Sequence, residues 1–129
     1  MYPVVHFEIP YKNGERISQF YNSVFGWKLT ELKHSSNNYI LITTAESDAK
    51  PGSPSGAING GFYAVNPEWH THHPSIVIAV DEVQTTIAEI IKYGGKIIGE
   101  PVEIPNYGIY VSFVDTEGNR NSIIQASGM

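Results

Sequence analysis

The chain repeats one order of elements, and this repeat restricts its fold more than any single motif does. Each half contains a strand, a helix and three further strands. Aligning Gly26 with Gly95 gives an offset of 69 residues, and the same offset places His6 on Ser75. Each half has a sheet with one face that its own helix cannot cover. The repeat therefore predicts two tandem βαβββ modules of the α+β class.

The two modules are expected to share one domain. The chain has 129 residues, which is about the length of a single domain with one core. We expect module one at about residues 1–65 and module two at about 74–127 of a domain that spans 1–129. Because neither copy covers its inner sheet face alone, we predict a curved, half-barrel sheet around a cleft, with the helices outside.

The first strand, residues 4–10, has two different faces. Side chains alternate along a strand, so its apolar face consists of Val5, Phe7 and Ile9. His6 and Glu8 then face the hollow enclosed by the other strands. A carboxylate raises the pKa of a neighbouring imidazole and orients its tautomer, as general acid–base chemistry needs. His6 and Glu8 are therefore the candidate catalytic residues, with a purely structural, hydrogen-bonded role as the alternative for each.

Capping residues place the first helix. Asn13 is a good N-cap, and Gly26 suits the left-handed conformation that ends a helix. Between them the apolar residues follow the spacing of one helix face, and they are Ile17, Phe20, Tyr21, Val24 and Phe25. We assign the three aromatic residues of this face to the core.

The second helix is predicted between Asp81 and the Gly94-Gly95 pair. Asp81 followed by Gln84 matches a capping-box arrangement. The buried face is expected to consist of Val83, Ile87, Ile90 and Ile91.

The remaining elements follow from β-branched runs and turn residues. Further strands are predicted at 27–32, 39–44, 57–63, 75–80, 96–99 with the stretch after Pro101, 107–114 and 121–125. Turns are predicted at 34–38 and 115–119, and a mobile loop at 46–56. The strands at 27–32 and 39–44 are expected to pair as a hairpin.

Composition excludes several classes of protein. Thirteen acidic and eight basic side chains give a net charge of −5, which disfavours nucleic acid as a partner. No segment approaches the roughly 18 apolar residues that a membrane span needs, so no membrane association is expected. Cysteine is absent, which excludes disulfides and thiolate chemistry. The N-terminus shows no export signal, and we expect a cytoplasmic protein.

Four segments resemble the vicinal oxygen chelate superfamily in their order and spacing. They are residues 6–10, 20–27, 80–83 and 113–119. The superfamily contains glyoxalase I, extradiol dioxygenases, fosfomycin-resistance enzymes and bleomycin-resistance proteins. The resemblance covers nearly the whole chain and implies the fold; it restricts the reaction less, because one fold hosts several chemistries.

The resemblance also implies where a metal would be bound. Metal enzymes of the superfamily use His or Glu from the first and last strands of each half. The matching positions here are His6, Asn59, Ser75 and Ser122. Serine hydroxyls and an amide are poor ligands for zinc, nickel or iron. Three of the four ligand positions thus lack His or Glu, and no metal residues are assigned; a divalent metal through an unconventional site stays an alternative.

A second group of histidines lies in the linker between the modules. His70, His72 and His73 precede the strand at 75–80. They could lean over the cleft and bind a metal, but no carboxylate partner is placed by spacing. A solvated loop with ordinary histidines is the favoured interpretation.

Aromatic residues on or beside the strands suggest a pocket for a small molecule. The candidate ligand-binding residues are Asn59, Ser75, Ser122, Trp27, Tyr39, Phe62 and Tyr110. The favoured function is a glyoxalase- or bleomycin-resistance-like protein with a small-molecule site in the cleft between the modules and without the usual metal centre. Two alternatives remain: a metal-dependent glyoxalase-type lyase or isomerase, or dioxygenase, that uses His6, and a non-catalytic dimeric module. Whether the chain is an enzyme is left open, and a homodimer is expected because such halves often assemble in pairs.

Overall fold

The structure is a computed structural model that describes residues 2–32, 38–44, 58–68 and 72–127. Its elements in chain order are β1 (Val4–Tyr11), α1 (Gly14–Phe25), β2 (Lys28–Glu31), β3 (Ile40–Thr43), β4 (Asn59–Ala64), β5 (Ser75–Ala79), α2 (Val83–Lys92), β6 (Lys96–Ile104), β7 (Gly108–Val114) and β8 (Arg120–Ala126). The predicted loop at 46–56, most of the predicted turn at 34–38, Trp69 and His70 lie outside the described residues. None of the described helices is long and apolar enough to cross a membrane.

The chain divides into two compact units with the same topology. The first unit is His6–Pro74, and the second is Ser75–Met129 together with Met1–Val5. The strand order is β2-β3-β4-β1 in the first unit and β5-β8-β7-β6 in the second. In each, the first strand pairs in parallel with the last, and the other pairs are antiparallel. The α+β class and the repeated βαβββ order are confirmed.

Helix α1 begins and ends at the predicted residues. The Asn13 side chain accepts a hydrogen bond from the Arg16 amide at 2.9 Å, which satisfies one of the amides that the first turn leaves without an intrahelical partner. Gly26 adopts a φ of 75° and its amide donates to Asn22 O at 2.9 Å. The predicted caps of α1 are confirmed.

The core assignment of α1 is only partly right. Ile17 and Tyr21 pack against the first unit's core of Ile40, Ile42 and Phe62. Phe20 and Phe25, which we assigned to the core, are 55% and 60% exposed. A helix contacts a sheet along a narrow line, so residues at one edge of a wide apolar helix face remain exposed to solvent. Both rings instead pack against the Tyr21 ring, at centroid distances of 5.1 and 5.8 Å.

Helix α2 differs from the prediction at its first turn. Its N-cap is Glu82, not Asp81, because the helix begins at Val83 and the Glu82 carboxylate accepts from Gln84 N at 3.2 Å and Thr85 N at 2.7 Å. The Val83 amide donates to Gln125 Oε1 at 2.9 Å, which ties the helix start to β8.

The buried face of α2 is also narrower than the sequence suggests. Val83 is buried, and Ile87 and Ile90 pack against the core cluster that it forms with three other residues. The prediction for Ile91 was wrong: it is 58% exposed, since it lies at the rim of the face that contacts the sheet. The other members of the cluster are Val80, Val111 and Ile123.

The predicted hairpin and the predicted turn at 115–119 are both present. Strands β2 and β3 pair antiparallel, with Leu29 opposite Ile42. In the turn, Asp115 Oδ1 accepts from the amides of Glu117 and Asn119, both at 2.9 Å. Strand β6 is continuous through Pro101 but carries an irregularity between Ile98 and Val102, where Gly99 has a φ of 71°.

Candidate functional site

The two faces of β1 separate as its alternation predicts. Phe7 and Ile9 pack into the first unit's core on the side of α1. His6 and Glu8 therefore point to the opposite face of this four-stranded sheet. Glu8 is only 8% exposed and His6 is half-buried. A buried carboxylate on a strand is costly unless it has hydrogen-bond partners, so its surroundings are informative.

A tyrosine joins the two residues. Tyr39 Oη lies 2.9 Å from His6 Nε2 and donates to Glu8 Oε2 at 2.9 Å. Its ring is nearly parallel to the His6 imidazole, with the centroids 6.4 Å apart. Two candidate catalytic residues and one candidate ligand-binding residue thus form a single hydrogen-bonded chain, which we call the His6–Tyr39–Glu8 network.

The geometry fixes the direction of the protons in this network. A phenol has one hydrogen, and Tyr39 gives it to Glu8. The bond to His6 must then run the other way, with Nε2–H donating to Tyr39 Oη. When His6 is neutral, its lone pair is consequently on Nδ1. This nitrogen can then accept a proton or a hydrogen bond.

Burial changes the acid–base behaviour of His6. Loss of water lowers the pKa of His6 below its ordinary value of 6.5, and the negative charge of Glu8 opposes part of this effect. The expected increase from Glu8 therefore exists, but burial outweighs it. Burial therefore favours the neutral imidazole, in which Nδ1 can accept a proton.

Tyr39 reaches β1 across an intervening strand. Residue 39 immediately precedes β3, and β4 lies between β3 and β1 in the sheet. The pairing places Leu41 beside Gly61 and Gly61 beside Glu8. A Cβ atom on Gly61 would lie less than 3.0 Å from the Tyr39 ring, so the ring occupies the space above this glycine. Sequence reasoning missed Gly61, although adjacent glycines within a predicted strand are a signal of close approach.

Three further candidate ligand-binding residues of the first unit lie elsewhere. Asn59 is the neighbour of His6 on β4, and its Oδ1 accepts from the Thr44 amide at 2.8 Å, which closes the end of the β3–β4 pair. Trp27 and Phe62 are on the α1 side of the sheet, where Trp27 stacks on Tyr21 and Phe62 has no exposed surface. We leave Trp27 and Phe62 out of the proposed site because they belong to the core.

Two of the three candidates in the second unit, Ser122 and Tyr110, belong to a cluster of hydroxyl groups. Ser122, which is 2% exposed, donates to Tyr110 Oη at 2.7 Å and lies 2.9 Å from Ser112 Oγ. Arg120 Nη2 lies 3.5 Å from Ser112 Oγ. Ser75 is half-buried at the start of β5. The hydrogen bonds described for this cluster join three hydroxyl groups and one guanidinium group.

The described linker histidines have local roles. His72 Nε2 accepts from the Asn66 amide at 3.0 Å, and the His73 carbonyl accepts from Tyr63 Oη at 3.3 Å. His73 is exposed. His70 lies outside the described residues.

The four positions that the family resemblance connects with a metal do not fit one. His6 Nε2 donates to Tyr39, Asn59 Oδ1 accepts from Thr44, and the Ser122 hydroxyl donates to Tyr110. Only His6 among the four positions has a side chain that transition metals favour. Within the described ranges, no group of three or more His, Cys, Asp or Glu residues could hold a metal ion. We derive no metal-dependent step for this chain.

Comparisons with known proteins agree with the observed topology. The family model described as Glyoxalase/Bleomycin resistance protein/Dioxygenase superfamily matches residues 4–123. A glyoxylase-like domain-containing protein of Didymella fabae is 29% identical over 94% of this chain and 91% of its own length. A putative glyoxylase, CFP32, of Mycobacterium bovis is 30% identical over 82% of this chain, which spans only 37% of that relative.

Solved structures show the same fold at low identity. The crystal structure of methylmalonyl-CoA epimerase from Mycobacterium tuberculosis matches with a TM-score of 0.70 and 12% identity, over 97% of this chain and 88% of that one. This likeness supports the fold alone.

Proposed function

Because the chain belongs to the Glyoxalase/Bleomycin resistance protein/Dioxygenase superfamily, we propose that it binds a small molecule at the His6–Tyr39–Glu8 network and does so without a metal ion. The observation that carries this proposal is the hydrogen-bonded chain of a half-buried imidazole, a phenol and a buried carboxylate on one sheet face. Such a chain leaves His6 Nδ1 as an acceptor for a ligand's hydroxyl, amide or acidic C–H group.

The network also supports proton transfer. A proton taken up at Nδ1 turns His6 into an imidazolium, whose Nε2–H donates to Tyr39 while Tyr39 donates to the Glu8 carboxylate. The carboxylate stabilises the new positive charge through the phenol, and the proton returns from Nδ1 to the substrate. Carbonyl compounds with an acidic neighbouring C–H are the substrates that this chemistry suits. The name of the glyoxylase-like relative supports the same class of ligand.

Binding and proton transfer can be tested on metal-stripped protein. Methylmalonyl-CoA and methylglyoxal mixed with glutathione are the first probes, added in D2O and followed by proton NMR. We expect saturation-transfer signals from a bound probe, with exchange of its acidic C–H for deuterium if the protein is a catalyst. Replacing His6 by Gln, which keeps a polar side chain but lacks the imidazole, should abolish the exchange. Activity that appears only after a divalent metal is added would contradict the metal-free proposal.

A non-catalytic binding role is the second candidate. Loss of three of the four metal-ligand positions favours it, as in the bleomycin-resistance branch that the sequence resembles. It predicts saturation-transfer signals from planar aromatic or cationic probes with no deuterium exchange in any carbonyl probe.

Homodimerisation and a cytoplasmic location remain proposals from the sequence. Sedimentation at micromolar concentration tests the first: a dimer is expected, and a monomer would contradict it. Detection of the native protein in cell fractions tests the second.

A further inference from the structure

We propose that Gly61 is a positioning residue for the His6–Tyr39–Glu8 network. Because it has no side chain, it lets the Tyr39 ring cross β4 and bond to His6 and Glu8 on β1. This inference rests on the proposed function, since it concerns the same site. It differs from that function in naming a residue without a side chain as the determinant of the site.

The Tyr39 ring and a side chain at residue 61 would compete for the same space. Atoms of the ring lie less than 3.0 Å from the position that a Cβ atom of residue 61 would take. Any other amino acid would force the ring away from β4. Because His6 and Glu8 are both bonded to the Tyr39 hydroxyl, displacement of the ring would break both bonds.

Gly60 and the neighbouring Gly61 accommodate rings on opposite faces of the sheet. A Cβ atom on Gly60 would lie less than 3.0 Å from the Phe7 ring, on the core side of the sheet. Gly60 thus accommodates a core ring from β1, whereas Gly61 accommodates Tyr39 on the face that carries His6. The φ angle of Gly61 is not positive, so its backbone conformation does not itself require glycine.

The second unit supplies an internal comparison. Ser112 pairs with Ser122 and Ser122 with Val77, as Leu41 pairs with Gly61 and Gly61 with Glu8. Tyr110 lies two residues before Ser112, as Tyr39 lies two residues before Leu41. The two tyrosines are therefore equivalent, and Ser122 stands where the first unit has Gly61.

The equivalent tyrosines have different partners. Tyr110 Oη bonds to Ser122 itself, at 2.7 Å on the adjacent strand, whereas Tyr39 passes over Gly61 and bonds to residues of the next strand. Ser122 gives Tyr110 a hydroxyl partner on the adjacent strand. Gly61 offers Tyr39 no such side chain and leaves the space above β4 to its ring.

The test is the Gly61→Ser variant, which gives the first unit the residue of the second. The readout is the pair of His6 ring 15N shifts, which report the tautomer without any ligand. In the native protein we expect the Nε2–H form; in Gly61→Ser, as in Tyr39→Phe, we expect the shifts to move towards averaged tautomers. A folded Gly61→Ser protein with unchanged His6 shifts would overturn the inference.

A second pair of variants keeps the inference testable if Gly61→Ser does not fold. The Tyr39→Ala variant removes the ring. Adding Gly61→Ser to Tyr39→Ala should change its melting temperature little. Gly61→Ser in the native background should lower the melting temperature by about 5 °C or more. If serine is as destabilising without the ring as with it, the glycine is required by the backbone and the inference fails.

Failure of the proposed function is distinguishable from failure of this inference. Gly61 could set the His6 tautomer in a protein that binds neither methylmalonyl-CoA nor the methylglyoxal adduct, which would refute the function alone. Conversely, full probe binding by a folded Gly61→Ser protein with unchanged His6 shifts would refute the positioning role alone.

Discussion

The two units use one topology and one tyrosine to build different chemistry. In the first, Tyr39 connects an imidazole to a carboxylate; in the second, Tyr110 accepts from Ser122, whose hydroxyl group also bonds to Ser112. His6 and Glu8 of β1 correspond to Ser75 and Val77 of β5 in the same pairing register. A duplicated fold can therefore keep its core and its tyrosine while only the first copy has an imidazole and a carboxylate at these strand positions.

The direction of the hydrogen bonds also differs. Ser122 gives its hydrogen to Tyr110, so Ser112 must donate to Ser122. The donors in this unit thus run from a guanidinium towards a phenol, and those in the first unit run from an imidazole towards a carboxylate. In the first unit the Glu8 carboxylate favours the charged form of His6, although burial outweighs it. An imidazole and a carboxylate are the groups that the proposed proton transfer needs, and the His6–Tyr39–Glu8 network has both.

The largest expected effects come from matched core truncations. Phe62 and Ile123 occupy equivalent positions, opposite Ile40 and Val111, and both are buried in their own cores. Phe62→Ala should lower the free energy of unfolding by about 3–5 kcal/mol and Ile123→Ala by about 2–5 kcal/mol. Urea denaturation measures both.

These truncations also test whether the loss of a core side chain changes the His6–Tyr39–Glu8 network. Both side chains lie on the helix side of their sheets, so a folded Ile123→Ala protein should keep the native His6 15N shifts. A change of the His6 tautomer in that variant would show that the two units are not chemically independent.

Removing the hydroxyl of each tyrosine should affect the first unit more. Tyr39→Phe removes the hydrogen bond that the phenol donates to the Glu8 carboxylate, and a hydrogen bond to a charged group contributes about 1.5–3 kcal/mol. Tyr110→Phe removes the neutral hydrogen bond that Ser122 donates to the phenol, which contributes about 0.5–1.5 kcal/mol. Equal losses in thermal or urea unfolding would contradict the contrast between charged and neutral networks.

The next expected effect is a pH dependence of stability that arises from His6 on β1. The pKa of His6 is lowered in the folded protein, so below pH 6.5 the unfolded chain binds the proton more readily. The contribution of His6 is thus fully present above pH 6.5 and is lost as the pH falls from there through the lower pKa of the folded state. His6→Ser, which gives β1 the residue of β5, should flatten this part of the stability profile; an identical slope in both proteins would contradict the account.

The smallest expected effect concerns the caps of the helices. Asn13→Ala should cost about 1 kcal/mol because it removes the acceptor for the Arg16 amide. In α2, Glu82→Ala should lower the melting temperature, and Asp81→Ala, at the residue that the sequence suggested as the cap, should leave it nearly unchanged. A larger decrease in melting temperature for Asp81→Ala than for Glu82→Ala would instead support the capping box predicted from Asp81 and Gln84.

Much of the fold was accessible from local patterns. Alternation along β1 separated His6 and Glu8 from Phe7 and Ile9, and the cap at Asn13 and stop at Gly26 placed α1. These features depend on residues close in sequence. The exposure of Phe20 and Phe25 was not accessible, because helix periodicity gives the width of an apolar face but not how much of it the sheet covers.

The connection between His6 and Glu8 was also beyond local reasoning. It depends on Tyr39, which is 33 residues from His6, and on Gly61, which leaves room for the ring. The Gly60-Gly61 pair signals a close approach, but which ring approaches it follows only from the strand order β3-β4-β1. The lowered pKa of His6 has the same origin, since burial of a strand residue is set by the completed sheet.

The most direct measurement is a long-range 1H–15N NMR spectrum of the histidine rings in metal-stripped protein, recorded during titration with methylmalonyl-CoA and with methylglyoxal plus glutathione. His6 is assigned from the His6→Gln variant. The account predicts a neutral His6 with its hydrogen on Nε2 at pH 7, whose Nδ1 signal moves on addition of a probe and does not move in Tyr39→Phe. A His6 that is protonated at pH 7, or that responds only after a divalent metal is added, would contradict it.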